Sequence, residues 1–492
     1  MTHVGFILAT REKFGSREEI KRCQSVVASA AAVKVSNMLR YPKSLLIVAL
    51  VVFCVLPLQA AETATATNTQ GWISRPLSLA DAIDVAVRQN ANLLKGKSDI
   101  EAAYGVVLQT RAVVLPMVRS TGNFTANDPG LQESFPSPVP VHLPNQAWLV
   151  DLRVLQAVYQ GGRLKSALRQ AKLTKEQALA QFEAVLADTV LDVQVAYYDV
   201  LVALQQIAVQ EASLNLLTNQ LSDTRNRFEA GTVRPFNVLR AEVELANARP
   251  RLIRARNASR IAKNNLATLL GYDVPKDIWE DIPLNLTDKL AAELMNVQLP
   301  TALGQALEHR PELTVLRKAE GLRREQIVSS KAGYKPGVGV FGGYEAHNSN
   351  FSDDLTRELH GWTAGEQLSG DIWDGFLTRG RVRQAEALHE RARIDLADNV
   401  RRIEQEVRTA YSSFIEGKEV LESQKKVQEQ AEEALRQAIA LNEAGVGTQL
   451  DVLSAQTSLT DARTTQVQAL HDYEVARARL ERAIGQNVRE RK

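Results

Sequence analysis

Cysteine and aromatic residues are scarce in this 492-residue chain. It contains two cysteines, Cys23 and Cys54, and its aromatic content is only 5%. Two cysteines exclude both a zinc site made of cysteine ligands and a disulfide framework. With 45% hydrophobic and 24% charged residues beside so few aromatic ones, the composition is typical of long helices rather than of several compact mixed cores.

A large net charge of either sign is also missing. The 59 Lys and Arg residues nearly balance 57 Asp and Glu residues, which leaves a formal charge of +2. No block of like charge stands out along the chain. We therefore expect no nucleic acid among the partners of this protein.

Sequence signatures of catalysis are absent too. The seven histidines are dispersed, and no nucleophile elbow, phosphate-binding loop or HExxH motif occurs. His347 and His360 flank one loop, where a metal site is one interpretation and solvent-exposed histidines are the more frequent one. The sequence predicts a protein that is not an enzyme and that holds no metal or cofactor.

Long hydrophobic runs are missing except near the N-terminus. Leu45–Leu58 is a 14-residue stretch without charge, preceded by basic residues and followed by small ones. This layout predicts a secretory signal peptide at residues 38–61, the alternative being an N-terminal anchor helix. Residues 1–37 fit neither role and are interpreted as an overhang upstream of a start at Met38. Because no later segment has about 18 apolar residues in a row, any entry into a membrane would have to use strands.

What the sequence does contain is an internal duplication. Phe228–Arg249 and Asn442–Arg463 are identical at 9 of 22 positions without a gap, at an offset of 214 residues. Chance gives about one or two identities over such a length. A period above 200 residues indicates two copies of a whole structural unit rather than a solenoid. We expect the copies at residues 75–271 and 301–488, joined by an irregular linker at 272–300.

Each copy is predicted to contain a very long helix and a return helix antiparallel to it. In the second copy, apolar residues recur at alternating spacings of four and three, which keeps one seam facing a partner helix. Pro250 lies inside the first return helix and predicts a kink there. The predicted helices are Leu79–Val114, Ser166–Glu229 and Pro235–Leu270 in the first copy, and Ala302–Lys331, Gly380–Glu443 and Gln449–Ile484 in the second.

Between its first helix and its long helix, each copy has two candidate strands. Alternation is clearest after Trp148, where one face is apolar and the other carries Asp151 and Arg153. Glu366 falls on the apolar face of the last strand, where a lipid-facing carboxylate would be costly unless it lay near the headgroups. A bulge or a strand beginning at Gln367 would remove it from that face. The predicted strands are Val118–Asn127, Trp148–Tyr159, Gly337–Ala346 and Trp362–Trp373.

The two copies turn at the same place with different residues. Gly231 and Gly445 are predicted to take the left-handed conformation that ends a helix. In the first copy, Pro235 suits the first turn of the next helix. In the second copy, Thr448 and Asp451 predict a capping box with Asp in place of Glu.

Four amphipathic strands are too few to close a barrel within one chain. An open sheet edge in lipid leaves backbone groups unpaired at several kcal/mol each, so closure needs several copies of the chain. Three copies of four strands would supply 12, a number found among outer-membrane barrels. A soluble coiled-coil rod is the alternative, which explains the helices but not the strands.

The sequence resembles the outer membrane efflux protein (TolC-like) family over about residues 75–488. The resemblance is carried by the tips AGTVRPFNVLRAEVELANAR and AGVGTQLDVLSAQTSLTDAR, the joints YQGGRLKSALRQA and WDGFLTRGRVRQA, and the openings LSLADAIDVAVRQN and TALGQALEHRPEL. It implies a mainly α fold with a small β part, formed by a homotrimer. A 12-stranded β-barrel, four strands per chain, would lie in the cell outer membrane, and a long α-helical barrel in the periplasm.

The resemblance also implies a function. The chain would be the outer-membrane channel component of a tripartite efflux pump or a type I secretion system. As a passive conduit it would export small molecules, metals or proteins, together with a periplasmic adaptor (membrane fusion) protein and an inner-membrane transporter. A periplasmic coiled-coil scaffold is the alternative function.

Functional positions at the helix tips follow from the same resemblance. Asp451 matches an aspartate that lines the closed periplasmic end, and three copies near one axis would form an acidic ring. Capping of its own helix is the other interpretation of Asp451, and both can hold. Asn237 occupies the matching site in the first copy, Ser454 replaces the family's second aspartate, and Gly447 and Asn442 replace a gate arginine and tyrosine. The expected adaptor contacts, which also form an ordinary helix–helix turn, are Ala230, Gly231, Ala444, Gly445, Val446 and Gly447.

Overall fold

A computed structural model of the protein describes residues 75–128, 130, 145–272, 282–292, 295–349 and 354–486. The expected signal peptide at residues 38–61 and the segment 1–37 lie outside the described residues. The described residues all belong to one structural unit.

The described part of the chain follows the order of the duplication. The first copy contains β1 (Pro76–Leu77), α1 (Leu79–Gln89), α2 (Ala91–Ala112), β2 (Met117–Ala126), β3 (Gln146–Gln160), α3 (Arg163–Glu229) and α4 (Pro235–Leu269). After β4 (Asn285–Leu286), the second copy contains α5 (Leu299–His309), α6 (Pro311–Lys331), a short 3₁₀ turn (Ala332–Tyr334), β5 (Gly337–Asn348), β6 (Glu358–Ser369), α7 (Leu377–Glu443) and α8 (Gln449–Ile484).

The long helices confirm the prediction from the apolar seam. α3 and α7 each have 67 residues, which corresponds to about 100 Å at ~1.5 Å per residue. Both end at the predicted residues, and both begin three residues earlier than predicted. The return helix α4 continues through Pro250 without interruption, and the kink at this residue stays a prediction.

The single helices predicted at the start of each copy are wrong, because each is broken about a third of the way along. Asn90 separates α1 from α2 with an extended backbone (φ −60°, ψ 129°), and its side chain accepts hydrogen bonds from the amides of Asn92 and Leu93. In the second copy, Arg310 separates α5 from α6 with φ −66° and ψ 122°. Arg310 precedes Pro311, whose ring disfavours the helical conformation of the residue before it.

The core lies where the short elements pack on the long helices. We call β1, β4, α1, α5 and the described residues 282–292 and 295–298 the belt. In the first copy, Val193, Tyr197 and Val200 of α3 pack against belt residues, and in the second copy Val407 and Phe414 of α7 do so. Parallel pairing of β1 with β4 connects the beginning of the first copy to the linker.

The helices form a strip that is four helices wide. Near the sheet the lateral order is α2, α3, α6 and α7, and towards the turns it is α4, α3, α8 and α7. α2 and α4 therefore lie at one edge of the strip, and α7 lies at the other.

The four longer strands form one antiparallel sheet in the order β2-β3-β5-β6. The prediction of Trp362–Trp373 for the last strand is wrong at both ends, because β6 spans Glu358–Ser369. β5 begins at Gly337, which pairs with Ser369. Pro336 precedes it and has no amide hydrogen to continue the ladder, so the residues after Ser369 have no partner strand on β5.

One described helix, α3, is long enough and in part apolar enough to cross a membrane. The buried core helix of a soluble protein passes the same test, so this observation is weak evidence. α3 also packs against α2, α4, α6 and α8.

Candidate functional site

The turn after each long helix has the same backbone in both copies. Gly231 has φ 74° and Gly445 has φ 76°, which confirms the predicted left-handed residues. The amide of Thr232 donates to the Arg227 carbonyl at 2.9 Å, and the amide of Val446 donates to the Leu441 carbonyl at 3.0 Å. These bonds satisfy carbonyls that a helix end leaves free.

The second turn is tighter than the first. The amide of Gly447 donates to the Leu441 carbonyl at 2.9 Å, and the Asn442 side chain donates to the Gly447 carbonyl at 3.4 Å. A Cβ atom at Gly447 would come within 3.0 Å of the Leu441 side chain. The side chain of Val446, in contrast, is 79% exposed at the tip. Gly447 is therefore needed for close packing, and Val446 is available for contact.

Asp451 forms the predicted capping box. The Thr448 hydroxyl accepts from the Asp451 amide at 3.2 Å, and the Asp451 carboxylate accepts from the Thr448 amide at 2.9 Å. Hydrogen bonds from the Thr448 side chain and backbone lower the pKa of Asp451 below its ordinary value. The carboxylate is exposed and charged, so it can contact solvent and ions while it caps the helix. Ser454, one helical turn further on, is exposed as well.

The corresponding start of α4 has no side-chain cap. Pro235 occupies its first turn, as predicted. Asn237 is half-buried, and its amide donates to the Arg234 carbonyl at 3.0 Å. The first turn therefore places no carboxylate where the second turn has Asp451.

Two hydrogen bonds between side chains join the ends of the two copies. Arg227 donates to the Asn442 side chain at 3.4 Å, and the Gln449 amide group donates to the Thr224 hydroxyl at 2.7 Å. Sequence reasoning missed this pairing, because Thr224 and Gln449 are 225 residues apart and neither belongs to a recognisable motif.

The sheet has two chemically different faces. On the polar face, Arg153 forms ion pairs with Asp151 at 2.7 Å and with Glu345 at 3.3 Å, and Thr121 donates to the buried Asp151. The strand registers place eleven large apolar residues together on the opposite face, whereas Leu149, Leu155 and Phe341 share the polar face. The eleven on the apolar face are Val118, Phe124, Trp148, Val150, Leu152, Val154, Val338, Val340, Tyr344, Trp362 and Leu368.

Histidines of the sheet do not converge on a metal site. His347 pairs with Leu359, whereas His360 pairs with Ala346, so the two rings belong to opposite faces. Within the described residues, no group of three or more His, Cys, Asp or Glu side chains is placed to hold a metal ion. The interpretation of His347 and His360 as joint ligands is therefore wrong.

Comparison with known proteins identifies the family. The model of the outer membrane efflux protein family matches residues 82–272 and 302–486. This chain belongs to that family. The efflux protein is 25% identical over 439 residues to the outer membrane protein TolC of Vibrio cholerae, covering 87% of this chain and 95% of the relative. It is 27% identical over 322 residues to the alkaline protease secretion protein AprF of Pseudomonas aeruginosa, covering 65% of each chain.

Solved structures show the same fold. The crystal structure of the outer membrane protein VceC from Vibrio cholerae superposes with a TM-score of 0.69 at 19% identity, covering 83% of this chain and 96% of that one. The TolC-like fold, the outer-membrane location and the role as a channel for efflux or secretion are thereby established for this efflux protein. The sheet is the part that a periplasmic scaffold would leave unexplained.

Glu366 can now be placed on the sheet. Its strand pairs with β5 in one uninterrupted register, so the expected bulge or late strand start is wrong and Glu366 stays on the apolar face with Trp362 and Leu368. It lies three residues before the end of β6 at Ser369, or ~10 Å at about 3.3 Å per residue. That end of β6 precedes α7, so Glu366 lies near the helix side of the sheet.

Proposed function

We propose that three copies of this efflux protein close a 12-stranded barrel in the outer membrane and a helical tube in the periplasm. The observation that carries the proposal is the open sheet, whose edge strands β2 and β6 have no further partner strand within the described residues. In lipid such edges must be paired. Two copies would give eight strands, a barrel that its own side chains fill, whereas three leave room for a channel.

The edges of the helical strip support the same closure. On α4, the exposed apolar residues Phe236, Leu239 and Val243 follow each other at spacings of three and four. On α7, Val427 and Leu441 are exposed at a spacing of 14, which is two heptads. These are the spacings of a helix seam that faces a partner helix. The α4 edge of one chain would pack against the α7 edge of the neighbouring chain.

The tips supply the proposed gate and docking surface. Three copies of Asp451 would form an acidic ring, with Asn237 and Ser454 as its uncharged neighbours. The hydrogen bonds Arg227–Asn442 and Thr224–Gln449 hold the two turns of each chain together, which supports a closed arrangement of the tips. A periplasmic adaptor, acting with an inner-membrane transporter, would contact the exposed tips formed by Ala230, Gly231, Ala444, Gly445, Val446 and Gly447.

The test measures mass and conductance on one preparation. The mature protein in detergent is expected to have three times the mass of one chain, and in planar bilayers it should give a small, cation-preferring conductance. Asp451→Ala should reduce the preference for cations, because the acidic ring is removed. A monomeric protein, or bilayers that stay silent for both the wild type and the variant, would rule out the proposed channel assembly.

A further inference from the structure

A groove of about 880 Å³ lies between α7 and α8, with Leu191 of α3 at its border. On α7 it extends from Arg402 to Val420, and on α8 from Ala469 to Ala483. It is separate from the tips and from the sheet, so it belongs to neither part of the proposed gate or barrel.

The groove opens on the side of the helices that faces away from the belt. Tyr473, Leu480 and Ile484 of α8 pack in the core with belt residues. Arg479 and Arg482 point to a different face of the same helix and line the groove. In the proposed tube the inside must stay open, so the belt would lie outside and the groove would face the conduit.

Three arginines line one end of the groove, and one of them, Arg402, is paired with Asp398 at 2.8 Å. α7 and α8 are antiparallel, and the ring centroids of Phe414 and Tyr473 lie 5.5 Å apart. Counted from this contact at ~1.5 Å per residue, Arg402 lies ~18 Å along α7, and Arg479 and Arg482 lie ~9 and ~14 Å along α8 in the same direction. The nearby carboxylate of Glu406 is already bound by Arg310 through hydrogen bonds of 2.7 and 3.0 Å.

One of these arginines is buried with an unused donor. The Arg482 side chain is only 9% exposed, and it binds Asp188 at 2.6 Å and also Glu312. Its Nη1 atom is buried without a hydrogen-bond partner among the described residues. A buried charged donor without an acceptor is costly, and the guanidinium that carries it borders the groove. Arg479 is exposed and has no ion-pair partner in the described part of the chain.

The remaining wall is part apolar and part polar, and its far end carries the carboxylates of Glu416 and Asp472. Small and aliphatic side chains, those of Leu191, Ala410, Val475, Ala476 and Ala483, line the groove beside the arginines. An apolar wall next to a few polar groups is typical of sites for small organic molecules. The ligand that matches both parts has an apolar body and one carboxylate or sulfonate group.

The first copy of the duplication does not carry this set. At the offset of 214 residues, Arg402, Arg479 and Arg482 correspond to Asp188, Asn265 and Thr268. The cationic end is therefore a feature of the second copy alone, and the first copy supplies substitutions for testing it.

We propose that this groove is a binding site on the conduit wall for organic anions, with Arg479 and Arg482 holding the acidic group. The proposal depends on the proposed function, since only a closed assembly places the groove on the path of the cargo. The site would give the channel a preference among cargoes, where a uniform wall would give none.

The experiment titrates naphthalene sulfonate into the assembled protein in lipid nanodiscs by isothermal calorimetry. We expect saturable binding with one site per chain. Arg479→Asn, which introduces the residue of the first copy, should weaken binding at least about tenfold, because a charge-assisted contact is lost. Arg402→Asp should weaken it further by repulsion. Arg408→Asn is the matched control, since Arg408 is exposed on α7 outside the groove, and should stay within about twofold.

The outcomes separate the groove from the channel. Each preparation is first checked for trimer mass and conductance, so loss of the assembly is seen independently of ligand binding. If a conducting assembly does not bind naphthalene sulfonate, the anion site is wrong. Equal weakening by Arg479→Asn and Arg408→Asn, or equal affinity for naphthylmethylammonium, would contradict it as well.

Discussion

In the first copy, α3 has 67 residues and the glycine after it has φ 74°; in the second, α7 also has 67 residues and the glycine has φ 76°. Where the two copies differ is in side chains. The first return helix begins with Pro235 and no side-chain cap, and the second begins with the Thr448–Asp451 capping box. Helix length and turn geometry have been kept because both copies must reach the same tip.

The same contrast appears at the helix break that opens each copy. Asn90 caps α2 through its side chain and donates to the Leu269 carbonyl at 2.8 Å. Arg310 occupies the corresponding break and binds Glu406 on α7. One backbone conformation is thus stabilised by a local amide in one copy and by an ion pair in the other. A shared fold fixes where the chain bends and leaves the chemistry at the bend free to diverge.

The largest difference between the copies is expected at the core of the long helices. Phe414 is 1% exposed and corresponds to Val200, which is fully buried. Phe414→Ala should lower the free energy of unfolding by about 3–5 kcal/mol, because it leaves a large cavity. Val200→Ala should cost only about 1.5–3 kcal/mol. Urea unfolding followed by circular dichroism checks both, and equal costs would mean that the two cores are not packed alike.

Arg310→Asn replaces the second-copy ion pair with the residue of the first copy. Arg310 is 4% exposed, but its partner Glu406 is 53% exposed in its side chain. Breaking a buried ion pair lowers the free energy of unfolding by about 3–5 kcal/mol. Because Glu406 is exposed to solvent, we expect a loss of about 2 kcal/mol here. The same unfolding measurement applies, with Arg310→Lys as the control that keeps the charge. No change for Arg310→Asn would show that the break needs no ion pair.

The turns should respond equally in both copies. Gly231→Val and Gly445→Val each force a β-branched residue into the left-handed region, where an L residue costs roughly 1–2 kcal/mol. We expect faster amide exchange in the last turn of α3 or α7, measured by hydrogen exchange with mass spectrometry. A clearly larger effect at one turn would show that contacts beyond the backbone separate them.

The smallest effect is expected at His471, where the first copy has Asn257. Burial lowers the pKa of His471, but hydrogen bonds to Asp199 and Asp472 outweigh burial and raise it above its ordinary value of 6.5. Glu416 of α7 lines the same groove. A raised pKa means that this stabilisation is complete below pH 6.5 and is lost as the pH rises through the higher folded-state value.

His471→Asn should therefore flatten the dependence of thermal stability on pH in this range. The melting temperature of the wild type and the variant, recorded from about pH 5.5 to 8.5, provides the test. A wild-type protein that becomes more stable as the pH rises through this interval, relative to the variant, would contradict the assignment.

Much of the fold was predictable because its signals are local. The 4-3 spacing of apolar residues predicted α3 and α7 to within a few residues, and the glycines predicted where they end. Pro311 was a visible signal for the break between α5 and α6, whereas Asn90 was not, because an asparagine caps a helix in some contexts and is tolerated within one in others. The end of β6 depended on where its partner β5 begins, so alternation along β6 alone placed it wrongly.

At the candidate sites, the sequence by itself determined the position of the tips, the capping box of Asp451 and the duplication that relates them. These depend on residues close together in the chain, whose spacing fixes which side chains share a turn or a face. Only the tertiary structure decided that Thr224 meets Gln449, that Glu366 stays on the apolar face, and that Arg479 and Arg482 share a groove with Arg402. Such contacts join segments far apart in sequence, and their distances are set by how helices and strands pack rather than by any local pattern.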